Sequence, residues 1–156
     1  MFNDDSDIKK PGVIVCGFFG IGKSSVPKYR PDIKFYDLDA KAFVKQPGWE
    51  KIYVDCALAL RKENDIVAIK SSDKVMHLLN EKGIKYYLVY PNRFAKRDFM
   101  ERAVKNGYSR EWIEAFFSKW DKYLEEVEEE DSAHKVVLQS GEYLSDIVDR
   151  LIRFKI

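Results

Sequence analysis

Apolar positions along the chain alternate between short continuous runs and stripes at helical spacing, and the alternation predicts an order of elements. Val13-Ile14-Val15-Cys16 is a buried-strand run that follows Pro11-Gly12. Residues 25–29 have room for only a short helix, with Pro27 tolerable in its first turn, where its missing N–H has no helical partner. Ile33-Lys34-Phe35-Tyr36 reads as a second strand that stops at Asp37-Leu38-Asp39. After Pro47-Gly48, the apolar residues Trp49, Ile52, Tyr53, Cys56 and Leu60 recur at helical spacing and predict a helix over 49–63. Residues 65–70 form a third strand, nearly all apolar, as a strand covered on both faces must be. A helix over 71–81 follows, capped by Ser72 and closed by Lys82-Gly83.

The second half repeats the pattern. Residues 84–90 predict a fourth strand ended by Pro91, and 92–106 a basic segment with helical character. Ser109 caps a helix running toward residue 130, with Trp112, Ile113, Phe116, Phe117, Trp120 and Leu124 on its apolar face. Residues 135–138 are a fifth strand and 142–154 a closing helix. Strands alternating with helices require right-handed crossovers and a parallel sheet. The expected fold is α/β, a three-layer sandwich around a five-stranded parallel sheet, as one domain over residues 1–156.

Composition narrows the classes without choosing among them. At 156 residues, 46% apolar and 34% charged, the chain can bury a core without disulfides or a structural metal. A formal net charge of +1 supplies no global field toward nucleic acid or membrane, so nucleic acid stays open but is not favoured. No apolar run approaches the roughly 20 residues of a membrane helix. The start, MFNDDSDIKK, has neither the basic nor the apolar stretch of a leader. Cys16 and Cys56 lack ligand spacing and read as buried free thiols. These features point to a reducing, cytoplasmic setting. Oligomeric state stays open, and neither His77 nor His134 has a partner at ligand spacing.

The strongest chemical signal is GFFGIGKS, residues 17–24, which fits the phosphate-binding loop pattern G-x-x-x-x-G-K-[ST] (Walker A) at every fixed position. Gly17, Gly20 and Gly22 permit a backbone that wraps a polyphosphate, with Phe18, Phe19 and Ile21 between them. Lys23 would meet the β- and γ-phosphates, and Ser24 would offer a hydroxyl to magnesium, with Ser25 an alternative. ATP with Mg2+ is the expected ligand.

In such sheets ligands bind beyond the carboxyl ends of the strands. Besides the loop, that rule nominates 37–39, 70–72, 90–97 and 139–141. Asp37 and Asp39 stand where carboxylates could serve magnesium and an acceptor, against the plainer reading of a solvated strand end. The third strand ends in Lys70-Ser71-Ser72 rather than the aspartate usual in hydrolases of this loop class. Arg93, Lys96, Arg97, Arg102, Lys105 and Arg110 crowd one segment. Guanidinium forks suit phosphate oxygens, so residues 91–110 are expected to form a lid, with Arg97 and Arg102 the foremost candidates, against a solvated helix face. Tyr36, Trp49, Tyr53 and Phe94 would each stack on a base or simply pack.

With these residues in view, residues 13–151 resemble the nucleoside-monophosphate-kinase-like P-loop family, including small kinase-like proteins often encoded by bacterial viruses. The resemblance lies in GFFGIGKSS, WEKIYVDCALAL, DIVAIKSS, YYLVYPNRFAKRDFMERAVKNG and VVLQSGEYLSDIV, in that order. FYDLD is similar to the F-x-D-x-D of shikimate and gluconate kinases, whose carboxylates serve magnesium and acceptor. The resemblance implies a fold of the P-loop NTPase, nucleotide-kinase type and Mg-assisted ATP phosphoryl transfer to a nucleoside monophosphate or deoxynucleotide. It implies catalytic roles for Lys23, Asp37, Arg97 and Arg102, and metal roles for Ser24 and Asp37. The acceptor site would draw on Asp37, Asp39, Trp49, Tyr53, Ser71, Ser72 and Arg93, with 40–63 as the acceptor-binding insertion. Asn106 stands where many of the viral proteins carry a second arginine, and Asp37-Leu38-Asp39 where they often have D-S-S. Two other readings stay open: another hydroxyl acceptor, such as a small metabolite, a nucleic-acid end or a modified DNA base, and a nucleotide-binding interaction protein without turnover.

Overall fold

The computed structural model describes residues 10–154 and 156; residues 1–9, on which the reading of the start as no leader rests, lie outside the described residues. Five parallel strands, β1 (Val13–Gly17), β2 (Phe35–Asp37), β3 (Ile66–Lys70), β4 (Tyr87–Pro91) and β5 (His134–Leu138), stand in the order β2-β3-β1-β4-β5. The helices are α1 (Ser25–Tyr29), α2 (Trp49–Leu60), α3 (Asp73–Glu81), α4 (Lys96–Lys105), α5 (Arg110–Phe117), α6 (Trp120–Glu128) and α7 (Leu144–Arg153). The chain moves outward from β1 to β2 and then returns through β3 across β1 to β4. Right-handed crossovers therefore put α1 on the face opposite α2 and α3, which gives three layers. Helix α1 packs on α7, and α2 on α3.

β1, β3 and β4 are buried along nearly their whole length because helices cover both faces, and this is why their sequences carry no polar alternation. β2 has only three residues and sits at the edge, where Tyr36 and Asp37 reach solvent. Phe99, Trp120 and Leu124 are fully buried on the side built by the segment between β4 and β5. Each such apolar side chain contributes about 1.5–3 kcal/mol of burial free energy.

Several boundaries differ from the pattern reading for local reasons. β2 starts at Phe35 rather than Ile33, because Ile33 N–H closes a turn on Arg30 O and Lys34 N–H is taken by the Asp65 carboxylate. α2 ends at Leu60, before the expected residue 63, in a turn where Lys62 and Glu63 bond back to Ala59 and Leu60. β4 begins at Tyr87 because Gly83, at φ +68°, and the Ile84 N–H bond to Leu79 O occupy the preceding residues with the end of α3. Pro91 closes β4 from within, and Asn92 N–H continues the ladder to Leu138 O.

The largest difference is the expected helix over 109–130, which is two. Ser118 Oγ bonds back to Ala115 O and Lys119 leaves helical geometry, so α6 starts on a new axis at Trp120. Trp120 thereby enters the core, with its indole N–H donating to Arg93 O. Cys16 is buried and Cys56 half-buried, both free, and burial pushes the Cys16 thiol well up from its ordinary value. Among the described residues, no helix is long and apolar enough to cross a membrane.

Candidate functional site

The carboxyl ends of β1, β2 and β3 open into a cleft of about 1800 Å3, bordered by the whole phosphate loop, Asp37, Asp39, Ser71 and Ser72. Such a volume exceeds the 300–1,000 Å3 of common small-ligand sites and leaves room for two ligands side by side (about this range).

The loop is shaped by bonds on its outer side. Gly20 O accepts from the Arg102 guanidinium at 2.7 Å, Ile21 O from Leu144 N–H at 2.8 Å, and Gly22 O from Ser25 N–H at 3.0 Å and from the Ser25 hydroxyl. In a planar trans peptide the N–H points opposite its carbonyl. Anchoring Ile21 O and Gly22 O outward therefore turns the N–H groups of Gly22 and Lys23 inward. Neither these two nor Ser24 N–H has a protein acceptor among the described residues. Inward N–H groups in series are a nest for anionic oxygens. Helix α1, with five residues, adds little dipole, so the loop amides carry the anion preference.

Two glycines are sterically required. Gly20 and Gly22 have φ of +83° and +85°, and a Cβ on Gly22 would lie 2.6 Å from the Tyr143 ring. The Phe18 and Phe19 rings pack against those of Trp112, Phe116, Phe117 and Trp120, which fastens the loop to α5 and α6. Lys23 Nζ lies 3.5 Å from Asp37 Oδ1, both side chains part-exposed in the cleft. The two serines separate: Ser25 is buried with its hydroxyl donating to Gly22 O and accepting from Ser145 N–H, whereas Ser24 is exposed at the cleft.

The expected acceptor residues disperse. Asp39 borders the cleft but caps the 3-10 turn Ala40–Ala42 through Lys41 N–H at 2.9 Å. Tyr53 is fully buried, its hydroxyl donating to Leu38 O at 2.6 Å and accepting from Lys70 N–H at 2.8 Å. It pins the ends of β2 and β3 from inside the core, and burial pushes its phenol well above the usual range. Trp49 packs edge-on against Tyr53 and does not border the cleft, so neither ring is placed to touch a ligand. Ser71 donates to Gly17 O at 3.2 Å, and Ser72 caps α3 through Val75 N–H at 3.3 Å. The stretch 40–63 is a 3-10 turn, a loop and α2, and α2 belongs to the layer covering the sheet, with Tyr53, Val54 and Ala57 buried.

The basic segment 91–110 differs most from its expectation. Arg93 pairs with Asp121 and Glu128 at 3.3 Å each, on α6. Arg97, 94% exposed, faces Glu101 at 3.6 Å, and Arg110 faces Glu114 at 3.0 Å. None of these three borders the cleft. Phe94 is exposed and also outside it. Arg102 does border the cleft, but only 4% of it is exposed and its guanidinium is committed to Gly20 O, Asp98 and Glu142 O. With Phe99, Arg102 and Ala103 buried, α4 is packed into the body of the protein rather than hung as a flap.

Besides Lys23, positive charge in the cleft comes from lysines rather than from the exposed arginines, and two of them, Lys28 and Lys41, the pattern did not nominate. Lys28, Lys41, Lys70 and Lys105 border it, and none is paired with a carboxylate among the described residues. Lys70 is in register with Gly17 on the neighbouring strand, beside the loop, in the place of the absent aspartate. Its position was visible as the end of an apolar strand; its neighbour was not, because strand order is a tertiary property. No group of three or more His, Cys, Asp or Glu that could hold a metal unaided occurs among the described residues.

No protein-family model matches the sequence, and no curated protein matches it. Among solved structures, the chain is similar to the apo SH3-kinase fragment of tight junction protein 3, with a TM-score of 0.57 at 13% identity, covering 92% of this chain and 56% of that fragment. The chain thus spans just over half of that fragment. It is similar to shikimate kinase from Bacteroides thetaiotaomicron, with a TM-score of 0.54 at 12% identity, covering 92% of this chain and 96% of that one. An uncharacterised protein from Eubacterium ventriosum gives a TM-score of 0.50 at 14% identity, covering 93% and 98%. At such identities the likeness is one of fold: a five-stranded parallel P-loop sheet flanked by helices, of the kind found in shikimate kinase.

Proposed function

We propose that the protein transfers the γ-phosphoryl group of ATP to a small acceptor bound against Asp37, with a nucleoside monophosphate or deoxynucleotide as the leading acceptor class. The observation that carries this reading is the pairing of an inward-turned amide nest at 20–24 with a carboxylate across the same cleft, Asp37, 3.5 Å from Lys23. The unengaged N–H groups and the close backbone of Gly20 and Gly22 fit a polyphosphate, and the exposed Ser24 hydroxyl with Asp37 fits a magnesium ion that takes its remaining ligands from phosphate and water. When bound, magnesium offsets the phosphate charge.

Lys23 would hold the β- and γ-phosphates, and Asp37 would orient the acceptor; a nucleoside monophosphate attacks through a phosphate oxygen already ionised at neutral pH, whereas a hydroxyl acceptor would pass its proton to Asp37. The acceptor oxygen bonds to the γ-phosphorus as the bond to the β–γ bridging oxygen breaks, and ADP leaves with the electron pair. Positioning and charge supply most of such catalysis. Since Arg93, Arg97 and Arg110 lie outside the cleft, Lys28, Lys41, Lys70 and Lys105 are the lysines that share it with Lys23. Incubation with ATP and a panel of nucleotides, read for nucleoside diphosphate, tests the acceptor class; no diphosphate from any nucleotide rejects it.

A second reading, a hydroxyl acceptor on another small metabolite, is favoured by one observation. Only a single 3-10 turn and a loop separate β2 from α2, and Trp49 and Tyr53 are spent on packing, so no aromatic acceptor pocket is built there. The likeness in fold to a shikimate kinase is consistent with it. ADP release on addition of a metabolite panel, where nucleotides give none, would select it.

A further inference from the structure

Arg102 is the one buried charged residue among the described residues. Nη1 donates to Gly20 O at 2.7 Å, while Nη2 donates to Asp98 Oδ2 at 2.8 Å and to Glu142 O. Its guanidinium lies between the rings of Phe99 and Tyr143, 4.2 Å and 3.9 Å from their centroids. Asp98 completes a triangle, because the same Oδ2 accepts Gly141 N–H at 3.0 Å. A buried ion pair is a poor source of stability, since desolvation offsets most of the attraction. An apolar side chain would fill the same space between two rings. What only a planar fork can do is bond two carbonyls from separate loops at once.

Those two carbonyls matter for the cleft. Gly20 O belongs to the peptide that closes the turn from Ile21 N–H to Phe18 O, immediately before the two inward N–H groups of Gly22 and Lys23. Glu142 O belongs to the loop between β5 and α7, whose next residue, Tyr143, packs against Gly22 and whose Leu144 N–H holds Ile21 O. Without the guanidinium, Gly20 O would be a part-buried acceptor that has lost its partner, and its peptide would be free to turn. Turning it would break the Ile21 N–H bond to Phe18 O and release the segment whose next two N–H groups, those of Gly22 and Lys23, form the nest.

We propose that Arg102 and Asp98 are positioning residues that hold the phosphate loop in its anion-accepting shape by tying it to the β5–α7 loop. Arg102 is not a lid arginine: it acts on phosphate through the backbone of residues 20–23 without touching it. This role rests on the phosphate-binding half of the function above and not on the transfer.

Inorganic pyrophosphate is the probe, because it reports the nest without base or acceptor contacts. Arg102→Ala should weaken pyrophosphate binding at least about tenfold, the worth of one charge-assisted hydrogen bond. Millimolar guanidinium should restore the affinity by entering the slot between Phe99 and Tyr143, and methylammonium, which cannot span both carbonyls, should not. Tyr87→Phe, which removes a bond to Phe154 O far from the loop, controls for general destabilisation and should leave binding intact. Should Arg102→Ala not fold, Asp98→Asn keeps the guanidinium and both rings, and should weaken pyrophosphate binding severalfold. Wild-type affinity in a folded Arg102→Ala, or in Asp98→Asn, overturns the proposal. Wild-type protein that binds pyrophosphate yet transfers no phosphoryl group rejects the transfer and leaves the positioning role standing; wild-type protein that binds none rejects both.

Discussion

The phosphate loop, 17–24, and the basic segment, 91–110, are both dense in residues suited to phosphate, yet they end in opposite roles. The loop works through its backbone: three successive carbonyls are anchored outward, and the N–H groups of Gly22 and Lys23 face the cleft. The basic segment works through its side chains, and those went elsewhere. Three arginines pair with surface carboxylates and one is buried as a brace for the loop itself. A requirement written in backbone dihedrals is local and survives folding unchanged. A requirement for charge at a point in space depends on which way a helix turns when it packs.

The sharpest test of the contrast is Lys23→Ala. Loss of the loop's own cation should lower turnover by about 10²–10³-fold, comparable to removing one donor to a developing charge, while the melting temperature holds. Steady-state kinetics beside calorimetry would read this, and unchanged turnover would remove the loop from the chemistry.

Next in size is a pair of glycine variants. Gly22→Ala must accept a left-handed backbone, about 1–2 kcal/mol, and a Cβ 2.6 Å from the Tyr143 ring. Gly48→Ala has a similar φ of +73° but nothing within 4 Å. Denaturant titration should show Gly22→Ala the less stable of the two, and only Gly22→Ala should weaken nucleotide binding. Equal effects would mean that the loop's close contact with Tyr143 is unimportant.

Tyr53→Phe tests an expected acceptor contact against the observed brace. Removing the hydroxyl strands Lys70 N–H, and should destabilise by about 1–2 kcal/mol with little change in acceptor KM. A large rise in KM without loss of stability would return Tyr53 to the acceptor site. Arg97→Ala should change kcat/KM by less than about twofold, since an exposed pair contributes at most about 1 kcal/mol.

The smallest effect concerns pH. Arg30 donates to both Asp32 and Asp149, joining the end of α1 to α7, and holds both carboxyls below the usual carboxylate range. Groups with a lowered folded pKa add stability that is full above their unfolded pKa, about 4, and lost as pH falls through the folded value. Between pH 7 and 3, Asp149→Asn should therefore lose less stability than wild type. Parallel acid titrations would contradict the tie.

Much of the fold was legible because its signals are short in range. Continuous apolar runs marked β1, β3 and β4, helical stripes marked α2, α3 and α7, and Ser72 and Ser109 capped where side-chain chemistry says they must. The break at Ser118 was not legible, because Phe116, Phe117 and Trp120 fit one helical stripe as well as two; burial of Trp120 beside Phe99 decided it.

By itself the sequence determined the loop proposed to grip phosphate and the parallel strands that carry it, since glycine dihedrals and apolar periodicity are properties of neighbouring residues. Only the tertiary structure decided which cations reach the cleft. Lys70 arrives because β3 lies beside β1, and Arg102 is spent on two carbonyls, one 82 positions before it and one 40 after it, because long-range packing sets the direction of a charged side chain.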